Sequence, residues 1–64
     1  MNIIKKSSDS VVVELNKEEL LILNNALNEI CNGSYAIDDV EFATLIGATK
    51  EEVMKLLDIV NKIK

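Results

Sequence analysis

The sequence predicts a small α+β domain in which an N-terminal two-stranded β-ribbon precedes three helices, in the order ββααα. Near the start of the chain, two segments rich in β-branched residues flank a serine-rich turn, as in a β-hairpin. Three later segments each begin with a residue that caps helices well and continue with apolar residues at helical spacing. With 64 residues, of which 48% are apolar, the chain is expected to form one small domain, residues 1–64.

The ribbon is predicted from residues 2–6 (NIIKK) and 11–15 (VVVEL). Residues 7–10 (SSDS) between them are typical of a turn. A lone hairpin is only marginally stable in water, so we expect this ribbon to pack on the helices or to pair with another chain. Lys5 and Lys6 are charges of the kind that keeps an edge strand from pairing further.

The longest helical signal predicts the first helix over residues 17–31. Asn16 is a good N-cap, and Glu19, three residues later, can complete a capping box with it. Gly33 is placed to end the helix in the left-handed conformation. The apolar residues of this segment form a stripe at helical spacing, made of Leu20, Leu23, Leu27 and Ile30.

The second and third helices repeat this pattern. Asp38 and Glu41 occupy the cap and box positions of the second helix, which Gly47 is expected to end after about two turns. Thr49 and Glu52 occupy the same positions in the third helix, which continues to the C terminus. The apolar stripe of the third helix comprises Val53, Leu56, Leu57, Val60 and Ile63.

The composition argues against catalysis and against a bound metal or cofactor. The chain contains no histidine and only one cysteine, so the usual nucleophile–base pairs and zinc sites cannot be assembled. The acids at Asp38, Asp39 and Glu41 lack the spacing of an EF-hand loop. Most of the acids lie at helix starts, where the helix dipole favours negative charge. We therefore expect a protein that is not an enzyme and that acts by binding.

The location is predicted from the apolar runs and from Cys31. No apolar run has the length of a signal peptide core or of a membrane span. Cys31 has no partner for an intrachain disulfide, and a buried thiol is its expected state. We therefore expect a cytoplasmic protein that does not act at a membrane.

Residues 42–56 (FATLIGATKEEVMKL) resemble the helix-turn-helix of bacterial DNA-binding proteins. In that family, a small residue of the first helix allows a close approach and a glycine occupies the turn four residues later, and Ala43 and Gly47 match these positions. Val53 and Leu56 match the two apolar residues by which the second helix enters the core. The resemblance extends over residues 38–63 with the flanking turns, and it implies a trihelical core. The stretch ELNKEELLILNNALNEICNG is also similar to short bacterial proteins of uncharacterised function.

The charge distribution disfavours the DNA binding that this resemblance implies. In the family, the start and outer face of the second helix meet the DNA, and Thr49, Lys50 and Lys55 hold those positions here. The chain has a net charge of −4, and from Glu18 to Thr49 it carries six acids and no basic residue. Such a surface repels a polyanion and releases few counterions on binding. A DNA-binding regulator is therefore kept as the alternative function.

The surface that we expect to bind a partner combines the outer face of the first helix with the start of the second. We call it the acidic surface. It is neutral to acidic, contains no lysine, and would steer and orient a basic protein partner. Its residues are Asn25, Asn28, Glu29, Asn32, Asp38, Asp39 and Glu41.

The function predicted from this surface is a small acidic protein–protein interaction module, of the inhibitor or immunity type. A third hypothesis is a self-assembling structural protein that uses the ribbon edge or Val12. A homodimer is compatible with the sequence, because dimerisation would add buried surface to a very small core.

Overall fold

The computed structural model describes residues 1–33 and 37–64, and the elements within them have the predicted order ββααα. The protein therefore has an α+β fold in which an antiparallel hairpin precedes three helices. The elements are β1 (Asn2–Lys6), β2 (Val11–Glu14), α1 (Lys17–Asn32), α2 (Asp39–Ile46) and α3 (Lys50–Ile63).

The two strands pair through the four-residue turn that was predicted. The Ser7 N–H donates to the Ser10 carbonyl at 2.8 Å, and the Ser10 N–H donates back to Ser7 Oγ at 3.1 Å. The register shifts between Ile3 and Lys5, which marks a bulge in β1. β2 ends at Glu14, one residue earlier than predicted.

The hairpin does not pack against the helices. All residues of both strands are exposed, and Ile3, Val11 and Val13 keep 69%, 51% and 40% of their surface accessible. In the described part of the chain, neither strand makes a packing contact with a helix. Of the two arrangements that we considered for the ribbon, packing on the helices of the same chain is therefore wrong.

α1 begins as predicted but ends differently. Asn16 Oδ1 accepts from the Glu19 N–H at 2.8 Å, and the Asn16 N–H donates to Glu19 Oε1 at 3.0 Å, which completes the capping box. Gly33 has φ −72° and ψ 170°, so the left-handed conformation expected there is wrong. Its N–H donates to the Glu29 carbonyl at 2.9 Å, and a Cβ added at Gly33 would lie 2.5 Å from that oxygen. The close approach of the backbone, and not the dihedral angle, favours glycine here.

α2 is capped by a different bond from the one expected. Asp38 Oδ1 accepts from the Val40 N–H at 3.2 Å, and the reciprocal box with Glu41 is not formed. The end of the helix is as predicted, because Gly47 has φ 86° and its N–H donates to the Ala43 carbonyl at 2.9 Å. α2 is therefore held by one side-chain cap and one glycine turn.

α3 begins with the predicted capping box. The Glu52 N–H donates to Thr49 Oγ1 at 3.2 Å, and the Thr49 N–H donates to Glu52 Oε1 at 3.1 Å. The helix runs antiparallel to α1, since Asn24 of α1 meets Asn61 in the last turn of α3, while the end of α1 meets its first turns.

The core is small and lies where the three helices meet. Phe42 is fully buried, and the buried cluster around it consists of Cys31, Phe42, Val53 and Leu57. Val60 extends the buried side of α3 towards the C terminus. Leu56 was expected to enter the core with Val53, but it is 50% exposed, and Leu57 takes that place.

Candidate protein-binding surface

The structure leaves all seven residues of the acidic surface exposed. α1 positions Asn25, Asn28, Glu29 and Asn32, because residues three, four and seven apart lie on one side of a helix. The other three residues cap or begin α2. The connection between the two groups includes residues 34–36, which lie outside the described part of the chain.

The α1 part of the acidic surface is ordered by bonds within the helix. Asn32 Nδ2 donates to Asn28 Oδ1 at 3.1 Å, so one amide group orients the next along the surface. The Glu29 side chain lies over Gly33 at the end of the helix. Oriented amides and a carboxylate can donate to and accept from a partner at the same time, which suits the recognition of a protein surface.

The α2 part contains one ion pair that the sequence analysis missed. Lys50 Nζ lies 3.0 Å from Asp39 Oδ1, so a lysine borders the surface that was expected to contain none. Lys50 also lies over the Phe42 ring, 5.9 Å from its centroid. No sequence signal places a residue eleven positions from Asp39 beside it, because the contact depends on how α3 packs on α2. Asp38 and Glu41 form no ion pair with the other described residues.

The residues of the DNA-binding alternative are partly engaged within the chain. Thr49 caps α3 through its side chain, and Lys50 is held by Asp39. Lys55 is exposed. Two of the three groups that would face DNA therefore already have a structural role.

Residues 1–33 and 37–64 contain neither a cluster of metal ligands nor a membrane-spanning helix. In that part of the chain, no group of three or more acids or cysteines is arranged to hold a metal ion. None of the described helices combines the length and the apolar character that a membrane crossing requires. Cys31 is a free thiol and is buried, as expected.

A second surface, which the sequence analysis did not identify as a site, is apolar. A cleft of about 320 Å³ lies between the end of the hairpin and the first half of α1. The Met1 ammonium forms an ion pair with the Glu19 carboxylate at its edge. The sequence signal for it is the run Leu20–Leu23, since four consecutive apolar residues of a helix cannot all face one core. The cleft is lined by Met1, Leu15, Glu19, Ile22, Leu23 and Ala26.

Comparisons with protein-family models, with curated proteins and with solved structures yield no match to this chain. The described residues present two candidate surfaces for binding. One is the acidic surface at the end of α1 and the start of α2, and the other is the apolar cleft between the hairpin and α1.

Proposed function

We propose that the protein is a small, non-catalytic interaction module whose acidic surface binds a basic protein. One observation carries this proposal: Glu29, Asp38 and Glu41 are exposed and form no ion pair with the other described residues. Lys50, the cation beside them, is already held by Asp39. The surface thus keeps uncompensated negative charge, while the Asn28 and Asn32 amides are ordered by their mutual hydrogen bond.

The expected partner chemistry follows from this charge. A net charge of −4 on 64 residues attracts a basic protein over about one Debye length, roughly 8–10 Å at physiological salt, and orients it before contact. Binding of this kind is faster at low ionic strength than at high ionic strength. An inhibitor or immunity-type role, in which the module covers a basic surface of its target in the cytoplasm, is the form of this function that we favour.

No specific observation favours DNA binding over this function. The helix that would read DNA offers one exposed lysine from the predicted set, Lys55, since Lys50 is paired. Phosphate contacts by lysine and arginine supply most of the basal affinity for DNA, and this surface provides few. DNA binding is therefore included in the experiment below as the result that would contradict the proposed function.

The test compares two charge-reversal variants of the full chain. Glu29→Lys with Glu41→Lys alters the acidic surface, and Glu51→Lys with Asp58→Lys makes the same charge change at exposed sites of α3. Each pair has one position in the first turn of a helix and one outside it, so effects on the helix dipole are matched. The tagged wild-type chain is first used to isolate a basic partner from the native host, and binding to the purified partner is then measured.

The acidic-surface variant should raise the dissociation constant at least about 10-fold at low salt, and the control variant should raise it much less. Raising the ionic strength should reduce the difference between the dissociation constants of the two variants. Equal losses in both variants would refute the proposed surface. Retardation of duplex DNA by the wild type, abolished by Lys55→Glu, would favour the DNA-binding alternative.

A further inference from the structure

The chain exposes more surface than its mass predicts for a folded monomer. Its accessible surface is 5208 Å². A folded monomer of 7.1 kDa is expected to expose about 4,100 Å². The excess of about 1,100 Å² is comparable to the roughly 800 Å² that each partner buries in a standard interface.

Several of the exposed apolar residues lie on one side of the pair formed by α1 and α3. Leu56, Ile59 and Ile63 recur at i, i+3 and i+7 on α3, and they are 50%, 57% and 63% exposed. On α1, Leu23 is 38% exposed and Ile30 is partly buried. We call these five residues the α1–α3 face.

The five residues share one side of the helix pair because of helix geometry. Asn24 and Cys31 mark the side of α1 that faces α3, and Val53, Leu57 and Val60 mark the side of α3 that faces the core. At 3.6 residues per turn, each of the five groups lies about a quarter turn from the buried side of its own helix, and Ile30 also packs against the core cluster. Since both helices are right-handed and run antiparallel, these quarter turns lead to the same side of the pair. The α1–α3 face thus gathers five apolar side chains on one side of the helix pair.

The cleft beside the hairpin continues this face. Leu23 belongs to both, and Ile22, which also lines the cleft, is 67% exposed. None of the five side chains of the face is charged. Apolar side chains that are exposed together in this way mark a surface for interaction.

We propose that a second copy of this chain covers the α1–α3 face, in a two-fold symmetric dimer. A second copy is present wherever the chain itself is present, so it can keep the face covered at all times. A two-fold dimer packs the same patch of both chains together, and an uncharged apolar patch is complementary to itself. The acidic surface lies on the end of α1 and the start of α2, so this proposal does not depend on the partner proposed for that surface.

The hairpin edge is the competing site for self-association, and its structure disfavours this use. The bulge between Ile3 and Lys5 interrupts the regular edge of β1. Lys5 and Lys6 place two charges along the same strand. Bulges and edge lysines are the features by which proteins prevent strands from pairing edge to edge.

The test measures the mass of three single variants in solution by light scattering and sedimentation. Ile59→Lys places a charge in the centre of the α1–α3 face, and Ile59→Ala removes apolar surface without adding charge. Val40→Lys is the matched control, because Val40 is 84% exposed on α2, outside the face. Circular dichroism checks that each variant keeps its helices, which is expected since Ile59 is exposed.

The wild type and Val40→Lys should have twice the 7.1 kDa mass of one chain. Ile59→Lys should raise the dimer dissociation constant about 30-fold or more, as for a residue at the centre of an interface, and Ile59→Ala should raise it less. A wild type that stays monomeric at 1 mM, or equal masses for Ile59→Lys and Val40→Lys, would overturn the proposal. Dissociation by Val12→Lys but not by Ile59→Lys would overturn it in favour of the hairpin edge.

Discussion

Asn24 and Asn61, which are 37 residues apart in the sequence, meet in the seam between α1 and α3, where Asn24 Nδ2 donates to Asn61 Oδ1 at 2.6 Å. Asn24 is only 4% exposed, and its Oδ1 accepts from Lys64 Nζ at 3.1 Å. A buried amide is costly without partners, so a shift of α3 by one turn, about 5.4 Å, would leave Asn24 unpaired. This one residue therefore fixes the register of the two longest helices.

Asn24→Ala is expected to lower the free energy of unfolding by about 1–3 kcal/mol, because it removes these bonds from a buried site. Urea denaturation followed by circular dichroism measures the change. Asn25→Ala is the control, since the neighbouring asparagine is exposed and gains the same helix propensity. Equal stabilities of the two variants would show that the buried amide does not hold the seam.

Phe42→Ala should abolish the cooperative unfolding transition. Replacing a buried phenylalanine by alanine costs about 3–5 kcal/mol, and a domain of this size is stable by roughly that amount. Phe42 is the one fully buried large side chain among the described residues. Val40→Ala on the same helix should leave the transition nearly unchanged, because Val40 is 84% exposed. A cooperative transition in Phe42→Ala would mean that other contacts hold the helices together.

Gly47→Ala should destabilise the protein through the backbone alone. The residue has φ 86°, and nothing lies within 4 Å of an added Cβ. A left-handed residue with a Cβ costs about 1–2 kcal/mol, which corresponds to a fall of roughly 4–15 °C in the melting temperature. Gly47→Asn should lose less stability than Gly47→Ala, since asparagine tolerates this conformation. If alanine and asparagine had the same effect, the dihedral angle would not be the cause.

Acid should weaken the start of α3 through Glu52. The Thr49 N–H donates to the Glu52 carboxylate at 3.1 Å and the Thr49 hydroxyl donates to it at 3.0 Å, and these bonds hold the pKa of Glu52 below its ordinary value. A lowered pKa in the folded state stabilises the protein above the ordinary carboxyl range, about pH 4.3, and this contribution is lost as the pH falls through the folded-state pKa.

Glu52→Gln should therefore lower the melting temperature at pH 7 and flatten its decrease between pH 5 and pH 2. Glu51→Gln is the matched control, because Glu51 lies in the same turn and takes no part in the capping box. If the melting temperature of Glu52→Gln fell with decreasing pH as steeply as that of the wild type, this role of the carboxylate would be contradicted.

The sequence predicts those features that depend on residues close to one another in the chain. The capping boxes of α1 and α3, the left-handed Gly47 and the serine turn each involve groups within four residues, so composition and spacing suffice. Gly33 shows where this reasoning fails. Its backbone is extended and lies against the Glu29 carbonyl, an approach that residue spacing does not specify.

The burial of α1 was harder to predict, because its apolar arc is wider than its contact with α3. Four consecutive apolar residues, Leu20–Leu23, leave the direction of the core open, and an asparagine beside them is usually interpreted as exposed. The buried residues of α1 are Asn24 and Cys31, while Leu23 belongs to the α1–α3 face. For the acidic surface, exposure agrees with the sequence prediction, but the Asp39–Lys50 pair depends on tertiary packing and could not be predicted.

The separation of the hairpin from the helices has a consequence for how the protein opens. Because β1 and β2 make no packing contact with a described helix, breaking their ladder costs none of the contacts around Phe42. The chain therefore contains two cooperative units with different opening free energies. Amide hydrogens of the hairpin will exchange with solvent deuterium by local opening, long before those of α1 and α3, and strand pairing alone protects them.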